Sequence, residues 1–192
     1  KGKVEINNYW DFDYNETTTG SPKELVSQCE TLFHSAVKSQ LVSDVEVGSY
    51  LSGGIDSSTN AALFSESETS KVKTFSIGYE GNYKSYKNET EYAKLAADYV
   101  NANYYEKLLT SEDLINFLPE MIRLQDEPIG DPVCVPLYYV SKLAKEKGVT
   151  VCQVGEGADE LFLGYPHWKK LLRYQEFSNK FLPKIILKVV LY

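Results

Sequence analysis

Apolar positions along the chain switch repeatedly between a helical rhythm and short, strand-like runs. Leu25, Cys29, Leu32, Phe33, Ala36 and Val37 recur at helical spacing behind Ser21-Pro22, where serine can cap and proline fits the first turn. This predicts an amphipathic helix to about residue 41. Residues 48–51 are small and apolar, as in a strand covered on both faces, and the run breaks at Gly53-Gly54. A helix with the apolar run Ala61-Ala62-Leu63-Phe64 then extends to about residue 68. Residues 72–77 alternate and are β-branched, predicting a second strand that ends at Gly78. A polar, tyrosine-rich stretch over 79–87 precedes a helix that should place Tyr92, Leu95, Ala96 and Tyr99 on one face. Residues 103–109 read as a third strand and 111–125 as a helix, ending in a loop over 126–132 imposed by its prolines. A helix over 137–147 stops at Gly148, residues 149–154 form a fourth strand, and 155–160 form its exit loop. Lys169, Lys170 and Arg173 read as the solvated face of a last helix.

This alternation predicts an α/β fold with a mainly parallel sheet flanked by helices. Ligands of such sheets sit at the carboxyl ends of the strands, so the glycine loop and the 155–160 loop can share one site. Gly53 and Gly54 give access to positive φ and let a ligand approach without a Cβ in the way. Successive backbone N–H groups at a strand–loop–helix junction form an anion nest at the positive end of a helix dipole, and phosphate is the obvious guest. The same residues would also serve as a turn whose Ser and Asp cap the helix. Two features favour the phosphate reading: Ser52, Asp56, Ser57 and Ser58 crowd into residues 52–58, and a matching acidic loop follows a hundred residues later.

Composition narrows the function classes. The 192 residues are 43% hydrophobic and 24% charged, suggesting one domain with an appendage. No apolar run approaches the roughly 20 residues a bilayer span requires, so no membrane partner is expected. A net charge of −7 disfavours nucleic acid, whose phosphates need a basic surface. Cys29, Cys134 and Cys152 are widely spaced, which suits free thiols in a reducing cytoplasm. The 15 Tyr and 8 Phe are expected to serve packing rather than base stacking. Lys1 at the start and the apolar, basic residues 185–192 at the end suggest a piece of a longer protein.

The glycine loop differs from a Walker loop, whose lysine reaches the β- and γ-phosphates, and from a dinucleotide fingerprint. Adjacent glycines followed by a carboxylate suit a pyrophosphate carried with Mg²⁺, the metal bridging phosphate oxygens to Asp56. Asp159 is the natural second carboxylate. Ser52-Gly53-Gly54-Ile55-Asp56-Ser57-Ser58 resembles the pyrophosphate loop of the ATP pyrophosphatases, whose fold is Rossmann-like, of the adenine nucleotide alpha hydrolase (PP-loop) type. Phe75-Ser76-Ile77-Gly78, Asp126-Glu127-Pro128 with Asp131-Pro132, and Gly155-Glu156-Gly157-Ala158-Asp159-Glu160-Leu161-Phe162 with Gly164-Tyr165 resemble glutamine-dependent asparagine synthetase. The likeness runs from about Tyr9 to Tyr165.

That resemblance implies adenylation followed by amide formation. A carboxylate, most simply aspartate, attacks the α-phosphorus of ATP and releases pyrophosphate; ammonia from glutamine then displaces AMP. It places the Leu51 and Ile77 backbone near adenine and ribose. Ser52, Gly53, Gly54, Ser57 and Ser58 fall around pyrophosphate, with Val154 and Gly155 also on the nucleotide. Asp56 and Asp159 fall on Mg²⁺, and Glu156 supports adenylate formation or amine deprotonation. Taken alone, Asp159 and Glu160, with Glu156, would suit the start of a helix, a reading the glycine loop beside them disfavours, and Asp126 and Asp131 are either site residues or loop acids. Three departures stand out: Val154 replaces a usual phosphate-contacting Ser, Leu163 a usual Gly, and Asn88 a frequent Asp. They leave open amidation of another carboxylate in polysaccharide or natural-product assembly, and a non-catalytic nucleotide-binding module remains the alternative class. Residues 1–21 are expected to be a linker from a glutaminase domain, and 22–192 the first part of the synthetase domain. On this reading the isolated stretch binds ATP·Mg weakly and turns over poorly; the resemblance also allows a homodimer.

Overall fold

The computed structural model describes residues 2–11, 19–81, 88–127 and 129–181, with side chains to 177. The polar stretches 12–18 and 82–87, Pro128 and the apolar 182–192 segment lie outside the described residues. The chain divides into two units, Lys1–Ala36 and Val37–Tyr192.

In the first unit, residues 2–11 carry no regular structure, and helix α1 (Pro22–Ser39) starts where the Ser-Pro pair predicts. Ser21 and Glu24 cap it reciprocally: the Glu24 carboxylate accepts the Ser21 N–H at 2.8 Å, and the Ser21 hydroxyl accepts the Glu24 N–H at 3.4 Å. Of the apolar stripe expected along this helix, Leu32 and Phe33 stay exposed, whereas Val37, in the second unit, is buried.

The second unit is built on four parallel strands, β1 (Val47–Tyr50), β2 (Lys73–Tyr79), β3 (Asn103–Leu109) and β4 (Val151–Gln153), in the spatial order β3-β2-β1-β4. Helices intervene as the alternation requires: α2 (Ile55–Ser67), α3 (Thr90–Tyr99), then α4 (Ser111–Leu124) with α5 (Cys134–Glu146), and α6 (Ala158–Phe162) with α7 (Pro166–Phe181). The β1 pattern of buried Gly48 and Ser49 reflects cover on both faces. One side packs Leu51, Ala61, Ala93 and Ala97; the other packs Phe75, Val140, Ala144 and Val149. Phe117 and Tyr138 stack at 4.1 Å in a further core cluster.

Four expectations need correction. Strand β2 continues through Gly78 to Tyr79, because β3 pairs with it to Leu109 and the Asn88 carboxamide binds both backbone groups of Tyr79. Helix α3 buries Ala93 and Ala97 and leaves Tyr92, Leu95 and Tyr99 exposed, the reverse of the predicted face apart from partly buried Ala96. The alanines face the sheet, where they pack in one cluster with Leu51 and Ala61. Helix α5 starts three residues earlier than expected, since Asp131 turns the chain by accepting the Val133 N–H at 2.9 Å. The predicted 155–160 exit loop is itself divided: Gly157, at φ +85°, precedes the short helix α6.

Candidate nucleotide site

The glycine loop leaves β1 at Leu51, whose backbone is held from both sides. Its N–H donates to the Phe75 carbonyl at 2.9 Å, and its carbonyl accepts from the Ser76 hydroxyl. The chain then turns at Gly53, at φ +83°. Gly54, by contrast, is extended at φ −69° and ψ 162°, so only the first glycine requires the left-handed region. A Cβ on Gly53 would lie 2.6 Å from the Ala93 nitrogen and 2.9 Å from the Glu89 carbonyl oxygen, so the loop sits directly on the start of α3.

Two hydroxyls shape the loop from inside. Ser57, buried in the first turn of α2, accepts the Ser52 N–H at 3.2 Å and donates to the Gly54 carbonyl at 3.2 Å; its oxygen lies 2.9 Å from that of Ser52. The Ser52 hydroxyl also accepts the Gly54 N–H at 3.3 Å. Gly54 brings no side chain to cap α2, so the first-turn amides receive no side-chain cap. Asp56 stands in that first turn, half-buried, with Ser58 beside it. A dipole end with uncapped donors suits an anion, and the acid suits its counter-cation.

The second loop meets the first at Gly155. A Cβ there would rest 3.4 Å from the Asp56 carbonyl carbon and 3.5 Å from the Ser57 nitrogen, so the two loops abut through backbone. β1 and β4 are neighbours in register, Ser49 beside Gln153, which delivers both loops to one edge of the sheet.

Between them opens a cavity of about 240 Å³ lined by Leu51, Ser52, Ser57, Ile77, Val154, Gly155 and Glu156, seven of the residues singled out from the sequence. Gly53, Gly54, Asp56, Ser58 and Asp159 do not line it. The remaining wall was not assigned to the site from the sequence: Tyr50, with Phe75 and Ser76 of the Phe75–Gly78 motif, from the strands, and Val133 at the cap of α5 with Pro136, Leu137 and Val140 on it. The spacing 133, 136, 137, 140 is helical and apolar, a signal present in the sequence but indistinguishable there from core packing. Tyr50 is fixed against α5 by its hydroxyl, 2.8 Å from that of Ser141, and burial raises its phenol above the usual range. Burial likewise pushes the Cys152 thiol beneath it up to about 11.

Glu156 projects exposed at the mouth, ahead of α6. Asp159 and Glu160 occupy the first turn of α6, so they also fill the helix-start role. The Asp159 carboxylate lies against the backbone of Gly164, where a Cβ would overlap it. Glu160 accepts from the Tyr165 hydroxyl at 2.8 Å. Among the described residues no group of three or more His, Cys, Asp or Glu is placed to hold a metal. Magnesium carried by a nucleotide needs only one or two carboxylates besides phosphate oxygens, and half-buried Asp56 and Asp159, in the helix turns that follow the two abutting loops, are of the kind that smaller demand requires. Asp131 acts as a turn former, while Asp126 is exposed in its loop. Among the described residues no helix is long and apolar enough to cross a membrane.

Comparison with known proteins identifies the family. The chain is 36% identical over 191 residues to asparagine synthetase [glutamine-hydrolyzing] 1 of Bacillus subtilis (strain 168), covering 100% of this chain and 29% of that protein. It is 39% identical over 159 residues to putative asparagine synthetase [glutamine-hydrolyzing] 2 of Methanocaldococcus jannaschii, covering 82% of this chain and 30% of that protein. The chain thus spans less than a third of the length of these relatives. Among solved structures, the NH3-dependent NAD synthetase of Campylobacter jejuni aligns with a TM-score of 0.46 at 17% identity, covering 72% of this chain and 60% of that one. The asparagine synthase family profile matches residues 28–187, and with that match the chain belongs to the asparagine synthase family.

Proposed function

We propose that this chain supplies the nucleotide-binding half of an ATP-dependent, amide-forming site whose product is asparagine. The observation that carries the reading is the cavity where the capless first turn of α2 meets Gly155 and Glu156. A carboxylate oxygen of aspartate attacks the α-phosphorus of ATP, and the bond to the bridging oxygen of the β-phosphate breaks, releasing pyrophosphate. The N–H groups at the start of α2 receive the charge that builds on the leaving pyrophosphate, with Ser52, Ser57 and Ser58 around it. The apolar wall from α5, with Leu51 and Ile77, encloses the uncharged end of the nucleotide and excludes water from it. Ammonia nitrogen then attacks the acyl carbon, the bond to AMP breaks, and the Glu156 carboxylate takes the surplus proton. Mg²⁺, when held by Asp56 and Asp159, supplies charge neutralisation on the phosphates. The relatives are named as glutamine-hydrolysing, and on this reading ammonia comes from a glutaminase domain of the same polypeptide, with residues 1–21 as its linker.

The test uses the full-length polypeptide with ATP, Mg²⁺, ammonium or glutamine, and a panel of carboxylic acids. Aspartate-dependent pyrophosphate release matched by asparagine is expected, and Glu156→Gln should lower turnover by about 100-fold or more. Release driven only by a different acid would transfer the chemistry to that acid, and nucleotide binding with no release for any acid would overturn the enzymatic reading.

A further inference from the structure

The glycine loop rests on α3, and what holds α3 is a side chain on the edge strand. Gly53 meets the Glu89 carbonyl, Tyr92 Cβ and the Ala93 nitrogen, so any shift of this turn carries the loop with it. The N-cap of α3, Glu89, makes no side-chain cap bond. Support comes instead from Tyr104 of β3. Its ring packs with the buried Leu51, Ala61, Ala93 and Ala97, joining the residue that starts the loop to the helix beneath it. Its hydroxyl shares one proton between the Glu106 carboxylate, at 2.7 Å, and the carbonyl of Thr90, the first residue of α3, at 3.3 Å. The Ser76 hydroxyl, which donates to the Leu51 carbonyl, lies within reach of the same phenol. Tyr104 therefore stands behind both ends of the loop: Leu51 through Ser76, and Gly53 through the first turn of α3.

We propose that Tyr104, with Glu106 as its hydrogen-bond acceptor, is a positioning residue that sets the height of the pyrophosphate loop. Tyr104 lines no part of the cavity, and its hydroxyl reaches the loop through Ser76 and α3. Burial raises its phenol far above the usual range, so the group remains a donor at every assay pH. A loop held from behind can keep its amides directed at an anion while its own hydroxyls stay engaged with one another. The inference rests on the nucleotide-site reading above and extends it to the edge strand, a part of the sheet with no contact to the cavity.

The experiment compares wild type, Tyr104→Phe and Glu106→Gln in the full-length polypeptide. Tyr104→Phe keeps the ring in its cluster and deletes only the hydroxyl. Two readouts are taken: amide hydrogen exchange across residues 51–58 without nucleotide, and the KM for ATP against kcat and the KM for the acceptor acid. Tyr104→Phe is expected to speed exchange of the 51–58 amides about tenfold while exchange in β1 and β2 is unchanged. It should raise the KM for ATP by about five- to tenfold with kcat and the acceptor KM within twofold. Glu106→Gln, which keeps an acceptor but removes its charge, should fall between wild type and Tyr104→Phe. Exchange that rises equally throughout the sheet would make Tyr104 a general stability residue and overturn the proposal. So would a loop and an ATP KM that both match wild type. A wild type that shows no ATP-dependent reaction would refute the nucleotide-site function instead, while the exchange measurement would still decide whether Tyr104 holds the loop.

Discussion

The two adjacent glycines of the loop should tolerate alanine very differently. Gly53 sits at φ +83°, where an L-residue is disfavoured by about 1–2 kcal/mol. The new Cβ would also come within 2.6 Å of the Ala93 nitrogen, 2.8 Å of Tyr92 Cβ and 2.9 Å of the Glu89 carbonyl oxygen. Two of these atoms belong to the backbone of a packed helix turn, so relief requires moving α3 or the loop. Overpacking of this kind adds about 1–3 kcal/mol. Alanine returns about 0.4–1 kcal/mol by restricting the unfolded chain, leaving a net loss of about 1–5 kcal/mol for Gly53→Ala. At Gly54 the backbone is extended and the sole close neighbour is the rotatable Ser52 hydroxyl at 3.3 Å. The unfolded-state gain is then nearly cancelled, and Gly54→Ala should stay within about 0.5 kcal/mol of wild type. Urea unfolding of both variants beside wild type measures the contrast, with nucleotide binding followed in parallel. Because Gly54 is exposed at the head of α2, Gly54→Ala should weaken ATP binding while leaving the unfolding midpoint in place. Equal losses at the two glycines, or a Gly53→Ala loss below about 1 kcal/mol, would refute this account of the loop.

Three further outcomes follow from single residues. Leu163 closes α6 at φ +57° and ψ 41°, a left-handed position, so Leu163→Gly should stabilise by about 0.5–1 kcal/mol in the same urea assay. Asn88 accepts the Tyr79 N–H at 3.2 Å and donates to the Tyr79 carbonyl at 2.9 Å; Asn88→Asp loses the donor, and thermal melting should show a loss of about 1 kcal/mol. The Thr110 N–H, at 3.0 Å, then the Thr110 hydroxyl and the Lys107 ammonium hold the Asp113 carboxyl below its usual range. Its folded-state pKa is thus below the unfolded value near about 3.9, so its contribution is complete above that pH and vanishes as pH falls through the folded value. The acid limb of urea midpoint against pH should therefore be shallower in Asp113→Asn than in wild type.

The sequence carried the sheet well because its strands are bounded by strong local signals. Thr110 and Asp113 cap α4 reciprocally, and that box ends β3 at Leu109, as the sequence predicts. The Ser21-Pro22 start of α1 is legible for the same reason. What failed depends on distant partners. The exposed side of α3 carries Tyr92, Leu95 and Tyr99, which are larger and more hydrophobic than the buried Ala93 and Ala97; only their packing against Leu51 and Ala61 shows that the alanines face inward. The early start of α5 depends on the Asp131 turn, which residue patterns do not separate from an ordinary proline loop. Of the site, the polar half was legible, since glycine, serine and acid are informative at a strand end. The apolar half on α5 was not, since Val133, Pro136, Leu137 and Val140 look the same whether they line a ligand cavity or a core.

The order of the strands explains why these two halves meet. The chain builds β1, β2 and β3 outward in one direction, then returns across the sheet to place β4 on the free side of β1. That reversal makes the carboxyl end of β1 the point where successive connections part, and a crevice is left between them. The glycine loop must leave into that crevice because it follows β1, and the Gly155 loop must enter it because β4 lies alongside. The segment that returns the chain from β3 to β4 includes α5, whose Val140 and Ala144 pack with Phe75 of β2 while Pro136, Leu137 and Val140, with Val133 at its cap, line the opening. One change of direction thus supplies the anion-binding loop, the acidic loop and the apolar wall together. A reading confined to local motifs could place two loops at strand ends; the parallel register of Ser49 with Gln153 makes them neighbours.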